Sequence, residues 1–282
     1  MAINMDKLIS DTKEIGSFPA IVHRINIAIE DPKSSLDGIG AIINEDPGLS
    51  ARLMKIANSS FYSFPFSVDT ITRALTVVGT KQLKDLVVAT YVVDLFANVP
   101  KDLIDIKSFW YHSIACGVMS RAIATSIRTT NIERYYLCGL LHDIGHIILF
   151  VQLPELATQF LKDGKAGKIL IHDAETKELG FNHADLGGKL MEKWKLPPDI
   201  YVPISNHHAP GRSKDYYLET AILHIAEILA ISLLGDIGIE SRLPQVDDAA
   251  WKKINLPQSA IPNLMDHAKA QFNDAIKLFF EK

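Results

Sequence analysis

Leu140-Leu141-His142-Asp143-Ile144-Gly145-His146-Ile147-Ile148 sets two imidazoles and a carboxylate inside a run that is otherwise apolar. The surrounding pattern predicts a helix from about Asn131 to Gln152, apolar on nearly every face, as in an element buried all round. Charge buried in such a setting is costly without a partner or a metal ion. On a continuous helix His142 and His146, four apart, share one face, and Asp143 lies one step round.

Outward from this stretch the helical pattern continues. Asp31-Pro32 with Ser34 and Ser35 reads as a turn feeding a helix through Ile43. Asp46-Pro47 sets an N-cap acid before a proline at the first helical position, with Leu49, Leu53, Ile56 and Ala57 at helical spacing behind it. Asp69 to Val78 forms a helix closed by Gly79, and Thr80 opens a longer one through Leu95. Further helices are predicted near 106–128, 154–162, 168–179, 183–194 (with Asn182 as N-cap), 218–234 and 262–280. No segment alternates as a strand would, so the fold class is all-α. The loop Val99-Pro100-Lys101-Asp102 divides the chain into an N-terminal helical lobe, 1–100, and a second lobe, 101–282. Nine of the ten histidines, all but His23, fall in the second.

The bulk composition excludes several classes. With 282 residues, 48% hydrophobic and 22% charged, the chain can bury a substantial core. A net charge of −4, from 29 basic and 33 acidic residues, leaves no footprint for a nucleic-acid polymer, though a small anionic ligand is compatible with it. Cys116 and Cys138 form no CxxC pair and read as small core residues in a reducing compartment. Met1 to Asp6 lacks the basic and apolar regions of a signal peptide, and charges interrupt the apolar runs short of a membrane span. The expected location is cytoplasmic.

Candidate metal ligands are His112, His142, Asp143, His183, His207, His208 and Glu227. Imidazole with carboxylate suits iron, manganese, zinc or nickel better than calcium or magnesium. Seven such side chains exceed one tetrahedral ion and suit two divalent ions, with Asp143 as the natural bridge, an arrangement fitted to hydrolysis at phosphorus. Glu227 adds to this, because it and His224 are the only strongly polar residues of Ala221–Ala230 and stand three apart on one face. Each histidine has an ordinary alternative. His112 beside Trp110 and Tyr111 could be a hydrogen-bonded core residue, His183 a helix cap beside Asn182, and His207-His208 an exposed loop before Pro210-Gly211. His23, His172 and His267 match nothing and read as structural or surface residues.

The order His112, His142-Asp143, His183, His207-His208, Glu227 resembles the HD superfamily of metal-dependent phosphohydrolases. The run Glu45-Asp46-Pro47-Gly48-Leu49-Ser50-Ala51-Arg52-Leu53-Met54-Lys55-Ile56-Ala57-Asn58-Ser59-Ser60-Phe61-Tyr62 is similar to the signature of the HDOD family, the HD-related output domains of bacterial signalling. Phe18-Pro19, Ala74-Leu75 and Val78-Gly79 are similar too, and the likeness covers roughly residues 10–235. It implies an HD-like helical bundle preceded by an N-terminal helical lobe, a signalling role, and input from a protein partner in trans. The nearly full ligand set resembles the dinuclear subgroup that includes the HD-GYP cyclic-di-GMP phosphodiesterases. Three positions depart from that subgroup. Glu227 stands where an aspartate is usual, His146 stands where a phosphate-contacting lysine is usual, and no Gly-Tyr-Pro follows His208.

Two functions follow as expectations. One is a phosphohydrolase acting on a nucleotide or small phosphate ester, with Asp143 and His146 as catalytic residues and His146 facing the phosphate. The other is a non-catalytic signalling module with a structural or vestigial metal site. Its partner surface would be the loop Asn58-Ser59-Ser60-Phe61-Tyr62-Ser63-Phe64-Pro65-Phe66, unless those aromatics serve as core. No residue singles out iron-based oxygen chemistry.

Overall fold

The computed structural model describes residues 3–12, 19–59, 62, 64–95, 105–235 and 242–280. Every regular element among them is helical. Two compact units form, one from Met1–Ser17 with Asn98–Lys269, the other from Phe18–Ala97 with Ala270–Lys282. The boundary loop expected at 99–102 lies outside the described residues. The first helix, α1 (Met5–Asp11), buries Leu8 and Ile9 and belongs with the larger unit, although it precedes the smaller one in sequence.

The smaller unit holds α2 (Ala20–Glu30), α3 (Leu36–Asn44), α4 (Pro47–Ala57), α5 (Ile71–Val78) and α6 (Thr80–Leu95). The starts of α3, α4 and α5 are capped by side chains, the one at Asp46 as the sequence signals. Ser35 accepts from Gly38 N, Asp46 from Leu49 N behind Pro47, and Thr70 from Arg73 N. Gly79, at φ +99°, closes α5 in a conformation other residues rarely take. Val22, Ile25, Ile43, Leu49, Leu53 and Leu75 form the core.

Asn58 gives the Asn-Ser motif a physical role. Its Oδ1 accepts from Val68 N at 2.8 Å, and its Nδ2 donates to Val68 O at 2.7 Å and Met54 O at 2.9 Å, pinning the aromatic loop to the end of α4. Within that loop Tyr62, Phe64 and Phe66 stack on one another at 5.6 Å spacing, and Arg73 covers the Phe66 ring, which is 42% exposed. Phe61, the fourth aromatic, lies outside the described residues.

The larger unit continues with α7 (Ile106–Ser126), α8 (Ile132–Leu141), α9 (Ile144–Gln152), α10 (Pro154–Lys165), α11 (Ile171–Leu179), α12 (His183–Lys193), α13 (Pro198–Asn206), α14 (Tyr217–Leu234) and α15 (Asp248–Ile254). The last helix, α16, spans Ile261–Phe280. Glycines let backbones touch at two crossings. A Cβ on Gly139 of α8 would meet Gly117 Cα of α7 at 2.6 Å, and Gly145 of α9 lies as close to the start of α12. Gln152 Nε2 donates to Thr12 Oγ1 at 3.1 Å, fastening the end of α1 to that of α9. Arg134 of α8 pairs with Asp199 of α13 and Glu219 of α14. Cys116 and Cys138 are buried and are not in a disulfide among the described residues.

The continuous helix expected over 131–152 is in fact two. His142 keeps helical angles (φ −56°, ψ −37°), but Asp143 moves to φ −95°, ψ 6°, and His146 N bonds Asp143 O at 2.9 Å in an i→i+3 turn. The cause is side-chain competition for backbone. His142 Nδ1 binds Gly139 O at 2.7 Å, the carbonyl that an unbroken helix gives to Asp143 N–H. Helix α14 is long and apolar enough to span a membrane, but 67% of it is buried inside the unit, where it carries His224 and Glu227.

Candidate metal centre

Six segments of the larger unit converge on one pocket. His112 comes from α7, His142 and Asp143 from the break between α8 and α9, and His146 from α9. His183 opens α12, His207 and His208 directly follow α13, and Glu227 lies on α14. Helix α11 completes the wall with Ile171, and Ile231 of α14 lines it too. The cavity measures about 20 Å³, room for an ion or a water.

Asp143 is the hub. Its Oδ2 lies 3.4 Å from His112 Nε2 and 3.3 Å from His142 Nε2, while its Oδ1 lies 3.2 Å from His183 Nε2 and 4.0 Å from His207 Nε2. The two oxygens of one carboxylate thus face two sets of imidazoles. Glu227 Oε2 stands 3.9 Å from His207 Nε2 and 3.7 Å from His208 Nδ1. Four triads have donor atoms within 4.8 Å of one another: His112/His142/Asp143, His142/His207/Glu227, His183/His207/His208 and Asp143/His146/His183. All seven expected ligands and His146 therefore meet in one place.

Local backbone aims the rings. His142 Nδ1 donates to Gly139 O and His207 Nδ1 to Ile204 O, each at 2.7 Å and each three residues back. With the proton held at Nδ1, each Nε2 presents its lone pair to the pocket. Both Nε2 atoms are fully buried and have no hydrogen-bond partner among the described residues. A buried nitrogen acceptor without a donor is costly, and a cation removes that cost, so the donor set fits a metal ion. Asn182 caps α12 through a reciprocal capping box with Asp185, which leaves the His183 side chain out of the capping role.

Burial pushes His142 down to about 4 and lowers His112, and it holds His207 and His208 well below the ordinary imidazole range. These rings are neutral at pH 7 and able to donate lone pairs. Burial alone would also lower His183, but the carboxylates of Glu175 and Asp143 outweigh it and raise that imidazole well above its usual range. Burial would raise Asp143, yet His142, His183 and His146 hold it well below the usual carboxylate range.

Sequence reasoning missed three roles here. Glu175 of α11 is 1% exposed and bonds His183 and His146. Its signal was a lone glutamate in a charged helix, Ile171-His172-Asp173-Ala174-Glu175, with nothing to mark it as buried. His172, expected to be structural or at the surface, stacks on His208 with centroids 3.9 Å apart, and burial pushes it down to about 4. His224, beside Glu227 on α14, is a buttress. Its Nδ1 donates to His207 O at 2.8 Å and its Nε2 accepts from Asp247 N at 3.1 Å.

Comparison with known proteins agrees with this architecture. A protein of Treponema pallidum (strain Nichols), described only as uncharacterized, is 26% identical over 205 residues, 72% of this chain, and the match spans about two fifths (39%) of that relative's length. An HDOD domain protein of unknown function from Geobacter sulfurreducens superposes with a TM-score of 0.78 at 23% identity, covering 99% of this chain and 97% of its own. A protein named "Putative phosphohydrolase" from Shewanella amazonensis SB2B follows with a TM-score of 0.73 at 21% identity, covering 98% and 96%. At such identities these likenesses establish the fold. The HDOD domain itself matches residues 15–210, from the smaller helical unit through the His-Asp break to the loop of His207-His208, and on that match the chain belongs to the HDOD family.

Proposed function

We propose that the larger unit is a metal-dependent phosphohydrolase that acts on a nucleotide or another small phosphate ester. The observation that carries this reading is Asp143, whose two oxygens face separate imidazole sets inside a buried pocket. His112, His142, Asp143 and Glu227 would hold one divalent ion, and Asp143, His183, His207 and His208 the second. The nitrogen-rich donors favour iron, manganese, zinc or nickel. Such ions supply Lewis-acid polarisation of a phosphoryl oxygen and an activated water at neutral pH. The chain's own residues do the rest. The neutral imidazoles of His112, His142, His207 and His208 would give lone pairs without releasing protons, His183 would release one on binding, Asp143 spans the two donor sets, and Ile171 and Ile231 limit water. His146, with Nδ1 engaged by Glu175, has Nε2 left to hold or give a proton near the phosphate. The name of the Shewanella structure supports the same reading.

The test is elemental analysis of purified protein, wild type against His142→Ala, followed by turnover of a nucleotide panel with each metal. The expected result is about two ions per chain in the wild type, fewer in the variant, and ester cleavage that depends on Asp143. Turnover unchanged in both His142→Ala and Asp143→Ala rejects the proposal. The cavity of about 20 Å³ favours a second reading, a signalling module whose metal is structural, because a nucleotide does not fit inside it. That reading holds if metal binds firmly, no ester is cleaved, and capture of a signalling partner depends on Phe64.

A further inference from the structure

We infer that Glu175 is the positioning residue of this centre, a single carboxylate that fixes the tautomer and orientation of His183 and His146 together. The inference rests on the metal-site reading above. Glu175 Oε2 accepts from His183 N at 2.8 Å and faces His183 Nδ1 at 2.7 Å, while Oε1 lies 3.1 Å from His146 Nδ1. The two rings stack with centroids 3.7 Å apart and an interplanar angle of 25°. With both Nδ1 protons held by Glu175, His183 presents Nε2 to Asp143 Oδ1 at 3.2 Å and to His208 Nε2 at 2.8 Å, and His146 is held in its triad with Asp143 and His183, whose donors lie inside 4.8 Å.

The need for a side chain here follows from the helices. His142 and His207 sit at helix C-termini and find a backbone carbonyl three residues back. His183 is the first residue of α12, so no helical carbonyl stands behind it. His146 has spent the corresponding carbonyl, Asp143 O, on its own backbone N–H. An acceptor from another element must serve both rings, and α11 supplies it.

A carboxylate can accept at both oxygens, whereas a glutamine has one acceptor oxygen and a donating NH₂. In Glu175→Gln the oxygen stays where two donors already point, on His183. The amide nitrogen then faces His146, which must bare its Nδ1 and carry the proton on Nε2. Glu175→Ala releases both rings.

The experiment is long-range ¹H–¹⁵N NMR of the full chain labelled with ¹⁵N-histidine, with His146→Gln and His183→Gln used to assign signals, beside titration with zinc alone. In the wild type both rings carry a proton on Nδ1. Glu175→Gln moves the His146 proton to Nε2 and spares His183, Glu175→Ala alters both, and zinc affinity drops about 10–100-fold. A bare Nδ1 on either ring of the wild type overturns the inference, and that measurement needs no variant to fold. His146 signals unchanged in a folded Glu175→Gln protein overturn it too. Wild type that shows the expected ring pattern yet takes up no zinc supports Glu175 as the positioning residue and defeats the metal-site reading instead.

Discussion

Gly145→Ala tests whether the break and the crossing beside it hold the centre together. An alanine methyl there would lie 2.0 Å from His183 O, 2.8 Å from His183 C and 2.9 Å from Gly187 N. Ordinary contact begins near 3.4 Å, and all three atoms are backbone, so α9 and α12 must part by more than 1 Å. Alanine in a helix is otherwise favoured over glycine by about 1 kcal/mol, so a propensity argument alone predicts stabilisation. The crossing predicts the opposite, a loss at the upper end of overpacking, about 3 kcal/mol. For a protein of this size that lowers the melting midpoint by roughly 6–12 °C. The displaced residue is His183, whose Nε2 lies 3.2 Å from Asp143 Oδ1, so zinc affinity falls with stability. Thermal unfolding by circular dichroism and a zinc titration read both effects. Gly211→Ala is the control, because nothing lies within 4 Å of its added Cβ, and it stays within about 0.5 kcal/mol of wild type. A Gly145→Ala protein that melts with the wild type and binds zinc equally refutes the reasoning.

Metal-free protein loses stability as the pH falls from about 6.5 to about 4. His142 and His172 have folded values of about 4, so over that window only the unfolded chain takes up their protons, at a cost of about 1.4 kcal/mol per pH unit and ring. Asp143 and Glu175, held low, extend the loss at the acid end, while His183, raised, loses its contribution only as pH climbs above 6.5. Urea midpoints that stay flat across the window contradict this. Asn58→Ala removes the bonds to Val68 N and Val68 O and costs about 2 kcal/mol, with metal content unchanged; a loss under about 0.5 kcal/mol defeats the pinning role. Inorganic phosphate binds zinc-loaded protein measurably more tightly than metal-free protein by calorimetry, and equal affinity would separate phosphate recognition from the metal.

The all-α class was legible because helix signals in this chain are local. Asp46-Pro47, Gly79 and Asn182 each mark an end by their own chemistry, and the structure uses each so. The eight histidines and carboxylates singled out by type meet in one pocket for a related reason. Imidazole and carboxyl groups in apolar runs must find one another or a cation. What stayed hidden depends on contacts distant in sequence. Nothing near Asp143 announces that His142 will take the Gly139 carbonyl and break the helix, because apolar periodicity runs straight through. Gly145 reads as a weak helix residue until α12 crosses it. Glu175 and His172 sit on a helix with exposed charges at Asp173, Lys177 and Glu178, and only tertiary contacts, Glu175 with His146 and His183 and His172 with His208, turn their side chains inward.

The charge balance of the pocket bears on what it accepts, and in what order. Asp143 and Glu175 are ionised at neutral pH, His183 is charged, and His112, His142, His207 and His208 are neutral. Among these groups two carboxylates outnumber the single imidazolium, and Glu227 brings a third carboxyl group. In apolar surroundings such an excess is poorly screened, so it repels a phosphate and attracts a cation. The neutral rings add nitrogen lone pairs, which favour transition metals over magnesium or calcium without adding more negative charge. Divalent ions held there would satisfy the inward nitrogens and offset the negative charge that an approaching phosphate meets. On the phosphohydrolase reading, metal loading would then assist substrate approach as well as chemistry, and the charge on Asp143 would serve both.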